Sequence, residues 1–315
     1  MDTPILINDH DVENSGWTPP TDADRSALVT MQGALKLDLD AVLSQPPQDT
    51  FLWLALHSVL RRYHNDPNYV WRPQFQRFGT CVGQANKLAL DILAALNAMF
   101  FGVEFKGRFA VAGTYTFSRV EVAHQPGKWQ GSNGYQAVAG NMKFGCLLLK
   151  TLGLADDARD EDEQLALEWT ASKEGVPAKY EQVAGDILVA DAVTLKPEDT
   201  LLAAKLIQCG AVQIVGTTFI PTGKRDADGI SPCARSRGGH EMCIDGVRWR
   251  GSDPIFHLQN SWDTWGSGGI FPVAGTFGTM PPGGVWITSK DYSIMRADAD
   301  STAMVGMNGL ILGGR

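Results

Sequence analysis

Cys81 is placed where a thiol becomes a nucleophile. Gly79-Thr80 closes an extended segment and an apolar-periodic run begins at Cys81 and reaches about Phe101. That spacing predicts a helix with Thr80 as its cap and Cys81 in its first turn. A helix N-terminus stabilises negative charge, so a thiol there ionises more readily than a free one. Alone this is weak, because unreactive cysteines are among the most buried residues. Amide hydrolysis by a thiol also needs a base, a group that orients the base, and donors for the oxyanion. His240, in Gly-Gly-His-Glu-Met-Cys243, and Asn260, in Leu-Gln-Asn-Ser-Trp262, are residue types that suit the first two tasks.

At these residues the chain resembles the papain-like cysteine peptidases. Their Gln…Gly-Ser-Cys-Trp, His-Ala-Val and Asn-Ser-Trp-Gly segments are matched in order by Gln76…Gly79-Thr80-Cys81-Val82, His240-Glu241-Met242 and Asn260-Ser261-Trp262. The resemblance implies a two-lobed α+β fold. Its helical lobe carries Cys81 on the nucleophile helix, and its β-barrel-like lobe carries His240 and Asn260. It further implies that Cys81 and His240 form a thiolate–imidazolium pair, that Asn260 fixes the ring, and that Trp262 shields the His–Asn hydrogen bond. Gln76 would donate to the oxyanion beside the Cys81 N–H, although it stands one residue nearer the nucleophile than is usual. Gly131, Ser132, Asn133 and Gly134 are the counterpart of a glycine-containing loop that pairs with substrate backbone. Val82 replaces the usual Trp, and Phe78 stands where the family has a cysteine, so that family disulfide cannot form.

With 315 residues, 44% of them hydrophobic, the chain can bury a large core. A formal charge of −8 without a Lys/Arg cluster argues against nucleic acid as a partner. No apolar run approaches a membrane span, and no basic-then-apolar leader is visible at Met1, so the expected place is the cytoplasm or a particle assembled there. The five cysteines are odd in number and scattered, which suits a reducing compartment; a Cys233–Cys243 bridge stays open. No cofactor is implied. His240 with Cys209, Cys233 and Cys243 lacks the paired short spacings of a zinc site, so no metal is expected.

Four segments are expected: an arm and short helix over 1–70, a helical lobe over 71–195, a β-rich lobe over 196–300 and a tail over 301–315. Residues 1–50, rich in Asp, Pro, Ser and Thr, read as an arm draped over the body, with Trp17-Thr-Pro-Pro20 an extended stop. Phe51–Leu60 reads as a helix and Cys81–Phe101 as one with a single broad buried face. Val111–Val122 fits helix or strand. A further helix is expected from Tyr135 to about Leu152, and the acidic run Asp156–Glu163 reads as a solvated face. Strands are expected at Ala211–Ile220, His240–Trp249, Ile255–Gln259 and Gly284–Thr288.

Two functions compete. One is a thiol peptidase acting on peptide or protein substrates. The other is a structural or binding protein that keeps this fold inside a larger assembly such as a virion, with the small and apolar tail Ser301–Arg315 docking on a neighbour. Transglutaminase-like acyl transfer also uses Cys and His, but generally with Asp where Asn260 stands.

Overall fold

The computed structural model of the chain describes residues 16–32, 37–69, 71, 76–127, 131–262, 281–297, 300–308 and 310–311. The N-terminal arm holds two short helices, α1 (Asp22–Met31) and α2 (Leu39–Ser44). Thr21 and Asp24 cap α1 reciprocally and Asp38 caps α2, which satisfies N–H groups that a helix start leaves over. A two-residue strand, β1 (Thr50–Phe51), precedes α3 (Trp53–Tyr63), which buries Trp53, Leu56, Val59 and Leu60.

The helix expected at Cys81 is α4 (Cys81–Phe101), and it ends at Gly102, whose φ of 68° is left-handed backbone that glycine adopts without strain. It differs from expectation in being buried on every side from Cys81 to Leu93. Its polar residues survive there because each is met: Lys87 by Asp162 at 3.0 Å, Asp91 by Arg108 at 2.9 Å, and Asn86 by Glu241 at 3.0 Å.

Val111–Val122 is helical, as α5 (Val111–Thr116) continued by a π-helical turn over Phe117–Val122. The next helix, α6 (Gly134–Lys143), stops well short of Leu152. Gly145 turns the chain there with φ 97°, and a Cβ on it would lie 1.9 Å from the Ala184 carbonyl oxygen. The acidic run is also unlike its reading. Within α7 (Asp160–Ala171), Asp162 and Glu163 are buried. Asp162 accepts the Val111 and Ala112 N–H groups, both at 2.9 Å, and so caps α5 from a distance. A seven-residue helix, α8 (Ala178–Ala184), completes this half.

The second half is a sheet. After β2 (Ala192–Thr194) and α9 (Thr200–Gln208) come β3 (Val212–Pro221), β4 (Cys233–Arg250), β5 (Asp253–Gln259) and β6 (Gly284–Thr288). Then α10 (Ser289–Ala297) leads to β7 (Ser301–Met304). The order is β2-β7-β3-β4-β5-β6, with β1 beside β4 and every pairing antiparallel. Ser301–Met304, expected in a docking tail, is instead a buried strand between β2 and β3. The architecture is α+β in two lobes, one built on α4 and one on β3, β4 and β5.

Candidate active site

Cys81 is the first residue of α4 and is fully buried. Thr80 does not cap the helix; its hydroxyl donates to the Glu163 carboxylate. Glu163 also accepts the Arg77 N–H at 3.0 Å and the Phe78 N–H at 3.3 Å. One buried carboxylate from α7 thus fastens the loop that delivers the thiol.

His240 lies on β4, and Asn260 follows the end of β5, where Gln259 pairs with Cys243. One step along that register puts Asn260 opposite Met242, on the side of the sheet that His240 shares, because strand side chains alternate. His240 Nε2 and Asn260 Oδ1 are 2.8 Å apart. The Ser261 N–H meets the same oxygen at 2.7 Å, and an N–H can only donate, so that atom is the carbonyl end of the amide. His240 therefore carries its proton on Nε2 and keeps a lone pair on Nδ1, which is buried with no hydrogen-bond partner among the described residues. The Trp262 ring stacks on the imidazole, with centroids 4.2 Å apart and planes 23° apart.

Cys81 and the strand that carries His240 meet at one junction. The N–H of Glu241, next after His240, donates to the Cys81 sulfur, and so does that of Val82. Gln76 sits between the two segments: its N–H donates to the Ser261 carbonyl and its Oε1 accepts from the Ser261 hydroxyl, both at 2.8 Å. Its Nε2 donates to the Phe78 carbonyl at 2.6 Å, which uses one of two amide hydrogens.

The loop over 131–134 is tied to the loop before α4 through Tyr115. The Tyr115 hydroxyl donates to the Gly79 carbonyl at 2.7 Å and accepts the Gly131 N–H at 2.8 Å. Asn133 caps α6, and before it Ser132 offers its backbone N–H and carbonyl to the arm. That backbone is occupied. Gly16 and Thr18 bracket Ser132 with hydrogen bonds of 2.9 and 2.7 Å, and Trp17 also bridges to Gly239. The Trp17 side chain packs on Cys81, Val82 and Ala137.

This cover sets the charge state. Burial drives the Cys81 thiol well above the ordinary range; N–H donation from Glu241 and Val82 pulls it down while the Glu241 carboxyl pushes it up. Burial also lowers His240 to about 4, against the pull of its bond to Asn260. The pair expected to be thiolate and imidazolium is therefore neutral with the arm in place. Glu241 is buried at the same spot, raised well above the usual carboxyl range by burial and by Asp300. Its Oε1 takes the Asn86 amide, and its Oε2 has no partner among the described residues.

Among the described residues no three or more His, Cys, Asp or Glu side chains cluster to hold a metal ion, and none of the helices is long and apolar enough to cross a membrane. All five cysteines, Cys233 and Cys243 included, are without a disulfide. Trp17, Glu163, Glu241 and Asp300 were not singled out in the sequence as site residues. The Trp17-Thr-Pro-Pro20 segment was the one local signal, and it reads as an extended stop.

No protein-family model and no curated protein matches this chain. Solved structures do. Xylellain, a cysteine protease from Xylella fastidiosa, aligns over 93% of this chain and 96% of its own with a TM-score of 0.61 and 12% identity. Procathepsin B S9 from Trypanosoma congolense aligns over 96% and 98%, with a TM-score of 0.51 and 10% identity. Procathepsin L2 from the Tenebrio molitor larval midgut aligns over 92% and 77%, with a TM-score of 0.51 and 13% identity. At such identities the likeness is one of fold.

Proposed function

We propose, on the premise of the papain-like fold that this chain has, that it is a thiol peptidase with Cys81 as nucleophile, His240 as base and acid, and Asn260 as the group that orients the ring. The observation that carries this is the His240–Asn260 bond of 2.8 Å, roofed by Trp262, at the junction where the chain presents Cys81. A scaffold has no chemical need for that set.

The reaction requires the arm to leave. With Trp17 withdrawn, water reaches the thiol and the imidazole, and the cost of charging both falls. His240 Nδ1 then takes the thiol proton, and Nε2 keeps its own on Asn260. The thiolate attacks the peptide carbonyl carbon, and the oxygen gains the electron pair. The Cys81 N–H, at the start of α4, and the second Gln76 amide hydrogen are the donors for that oxygen. Collapse breaks the C–N bond as His240 protonates the leaving amine. Water, deprotonated by His240, then splits the thioester and returns the thiol. Ser132 pairs with substrate backbone in the place that Gly16 and Thr18 now hold.

The covered thiol favours a second reading, a binding protein that keeps the fold without turnover. One experiment separates the two. Full-length chain carrying Trp17→Ala is incubated with a mixed peptide pool, and cleavage is followed by mass spectrometry, with Cys81→Ser and His240→Ala in the same background. Cleavage abolished by either second substitution supports the peptidase. Absence of cleavage, with Cys81 alkylated no faster than Cys146, refutes it.

A further inference from the structure

A cavity of about 10 Å3 lies between α4, β4 and the end of β5, with Ala85 and Leu88 as apolar walls and Trp71, Glu241 and Asn260 as polar ones. Each polar wall brings a buried atom that has no hydrogen-bond partner among the described residues: Trp71 Nε1, Glu241 Oε2 and Asn260 Nδ2. All three residues are buried, so bulk water does not serve these atoms. Three unmet polar groups around one space are costly unless something meets them together.

The other polar atoms of Glu241 and Asn260 are committed elsewhere. Asn260 Oδ1 takes His240 and the Ser261 N–H. Glu241 Oε1 takes Asn86 Nδ2 at 3.0 Å and lies on the side of Asp300: a Cβ on Gly134 would be 3.1 Å from it and 2.9 Å from Asp300 Oδ2. Asp300 in turn is met by Trp17 Nε1 at 3.0 Å and by the Gly134 N–H. The proton that burial keeps on Glu241 belongs on that side, toward a second carboxyl, which leaves Oε2 an acceptor. Gln259, also in the wall, has its unmet Oε1 beside Gly284 and His257 instead, where a Cβ on Gly284 would meet both. Two N–H donors and one acceptor thus surround the cavity. Buried waters typically make about three hydrogen bonds, and this is about the least space that holds one.

We propose that a single water, accepting from Trp71 Nε1 and Asn260 Nδ2 and donating to Glu241 Oε2, is a fixed part of the candidate active site, and that Glu241 acts through it as a positioning residue for Asn260. The Asn260 amide is then held at both ends, Oδ1 by Ser261 and Nδ2 by the water. Turned over, it would present N–H groups to His240 Nε2 and force the imidazole proton onto Nδ1, the atom whose lone pair faces the thiol proton in the reaction. The proposal rests on the peptidase reading above, in which that lone pair is the base.

The test needs no turnover. In Glu241→Gln the amide that still accepts from Asn86 turns an N–H toward the water, so three N–H groups face two lone pairs. Turning Asn260 over relieves that surplus, and so does Trp71→Phe, which removes one donor and keeps an aromatic ring. Full-length chain with Cys81→Ser and nitrogen-15 histidine is compared with Glu241→Gln, Trp71→Phe and the two together, by long-range proton–nitrogen spectra at pH 7.5 and by urea unfolding. His240, assigned by its loss in His240→Ala, is neutral at that pH. The parent should carry its proton on Nε2, Glu241→Gln should show a second His240 signal with the proton on Nδ1, and adding Trp71→Phe should remove it. The urea midpoint should fall in Glu241→Gln and regain at least about half of the loss in the double variant, as groups that share a partner are not additive. A merely structural Glu241 would move the midpoint and leave the proton where it is. A His240 signal unchanged by Glu241→Gln, or losses that simply add, overturns the proposal. Should Glu241→Gln not fold, the double variant must, and failure of both overturns it too. If the His240 proton responds as expected but the chain with Cys81 intact and Trp17→Ala cuts no peptide, the peptidase reading falls and the water-held Asn260 stands.

Discussion

Replacing Trp17 by alanine should turn a fully buried thiol, Cys81, into the most reactive one of the chain. Trp17 is 6% exposed, and its indole both covers Cys81 and bonds to Asp300. Truncating a buried tryptophan costs about 3–5 kcal/mol. Here the loss falls on the docking of the arm rather than on the core, since α4 and the sheet keep their own contacts. At about 1.4 kcal/mol per factor of ten, a loss of ~4 kcal/mol raises the undocked population roughly a thousandfold. If alkylation requires undocking, its rate rises in the same proportion until the arm is mostly open. The assay is iodoacetamide labelling of the full chain at pH 7.5, read cysteine by cysteine by mass spectrometry. Cys146 and Cys243, buried outside the cluster that holds Trp17 and Cys81, should not change, and the partly exposed Cys209 and Cys233 are references for ordinary access. A Cys81 rate that rises less than tenfold in Trp17→Ala, or that already matches Cys209 in the unaltered chain, would refute the reasoning.

Glu163→Ala should lower thermal stability by about 3 kcal/mol, because Thr80 and the N–H groups of Arg77 and Phe78 lose their acceptor, and Glu163→Gln should recover part of it; melting curves decide. His57 is lowered to about 4 by burial and by Arg61, so the unfolded chain binds a proton near pH 6.5 that the folded chain refuses until about 4. Its contribution is therefore intact above pH 6.5 and falls by up to about 3 kcal/mol as pH drops to 4, and His57→Leu should remove that share of the slope of the urea midpoint against pH, leaving the share of His240. In the Trp17→Ala background, Asn260→Ala should lower kcat on the order of a hundredfold and Trp262→Ala roughly tenfold, with KM little changed in either; equal losses in KM would show that these residues bind substrate rather than hold His240.

Much of the site could be read in the sequence because its groups sit where chain-local rules apply. A cysteine that opens an apolar-periodic run had to lie at a helix start, and Gly284–Thr288 pairs as a strand over the residues its pattern marked. The contacts that were not legible join distant segments. Nothing in Asp156–Glu163 distinguishes the two carboxylates that turn inward from those that face water; what holds them there is the N–H groups of Val111 and Ala112 and of Arg77 and Phe78, many residues away. The charge state of Cys81 was misread for the same reason. Helix position favours a thiolate, but burial under Trp17 outweighs it, and Trp17 is a neighbour in space alone. Likewise Ser301–Met304 is a run of small residues and a Met buried with a strand on each side of it, a pattern that on sequence grounds reads equally as a docking tail.

The bond between Trp17 and Asp300 spans 283 residues, and β7, beside Asp300, is the strand that joins β2 to β3. On a ribosome adding about 5–20 residues per second, the seat for Trp17 emerges roughly 15–60 s after the indole does. For most of that interval, from the synthesis of Cys81 onwards, the thiol has been made and its cover has nowhere to rest. The order of synthesis thus gives every copy of the chain a period in which Cys81 is open to oxidants and to other nascent chains, and completing the last strand of the sheet is the event that ends it.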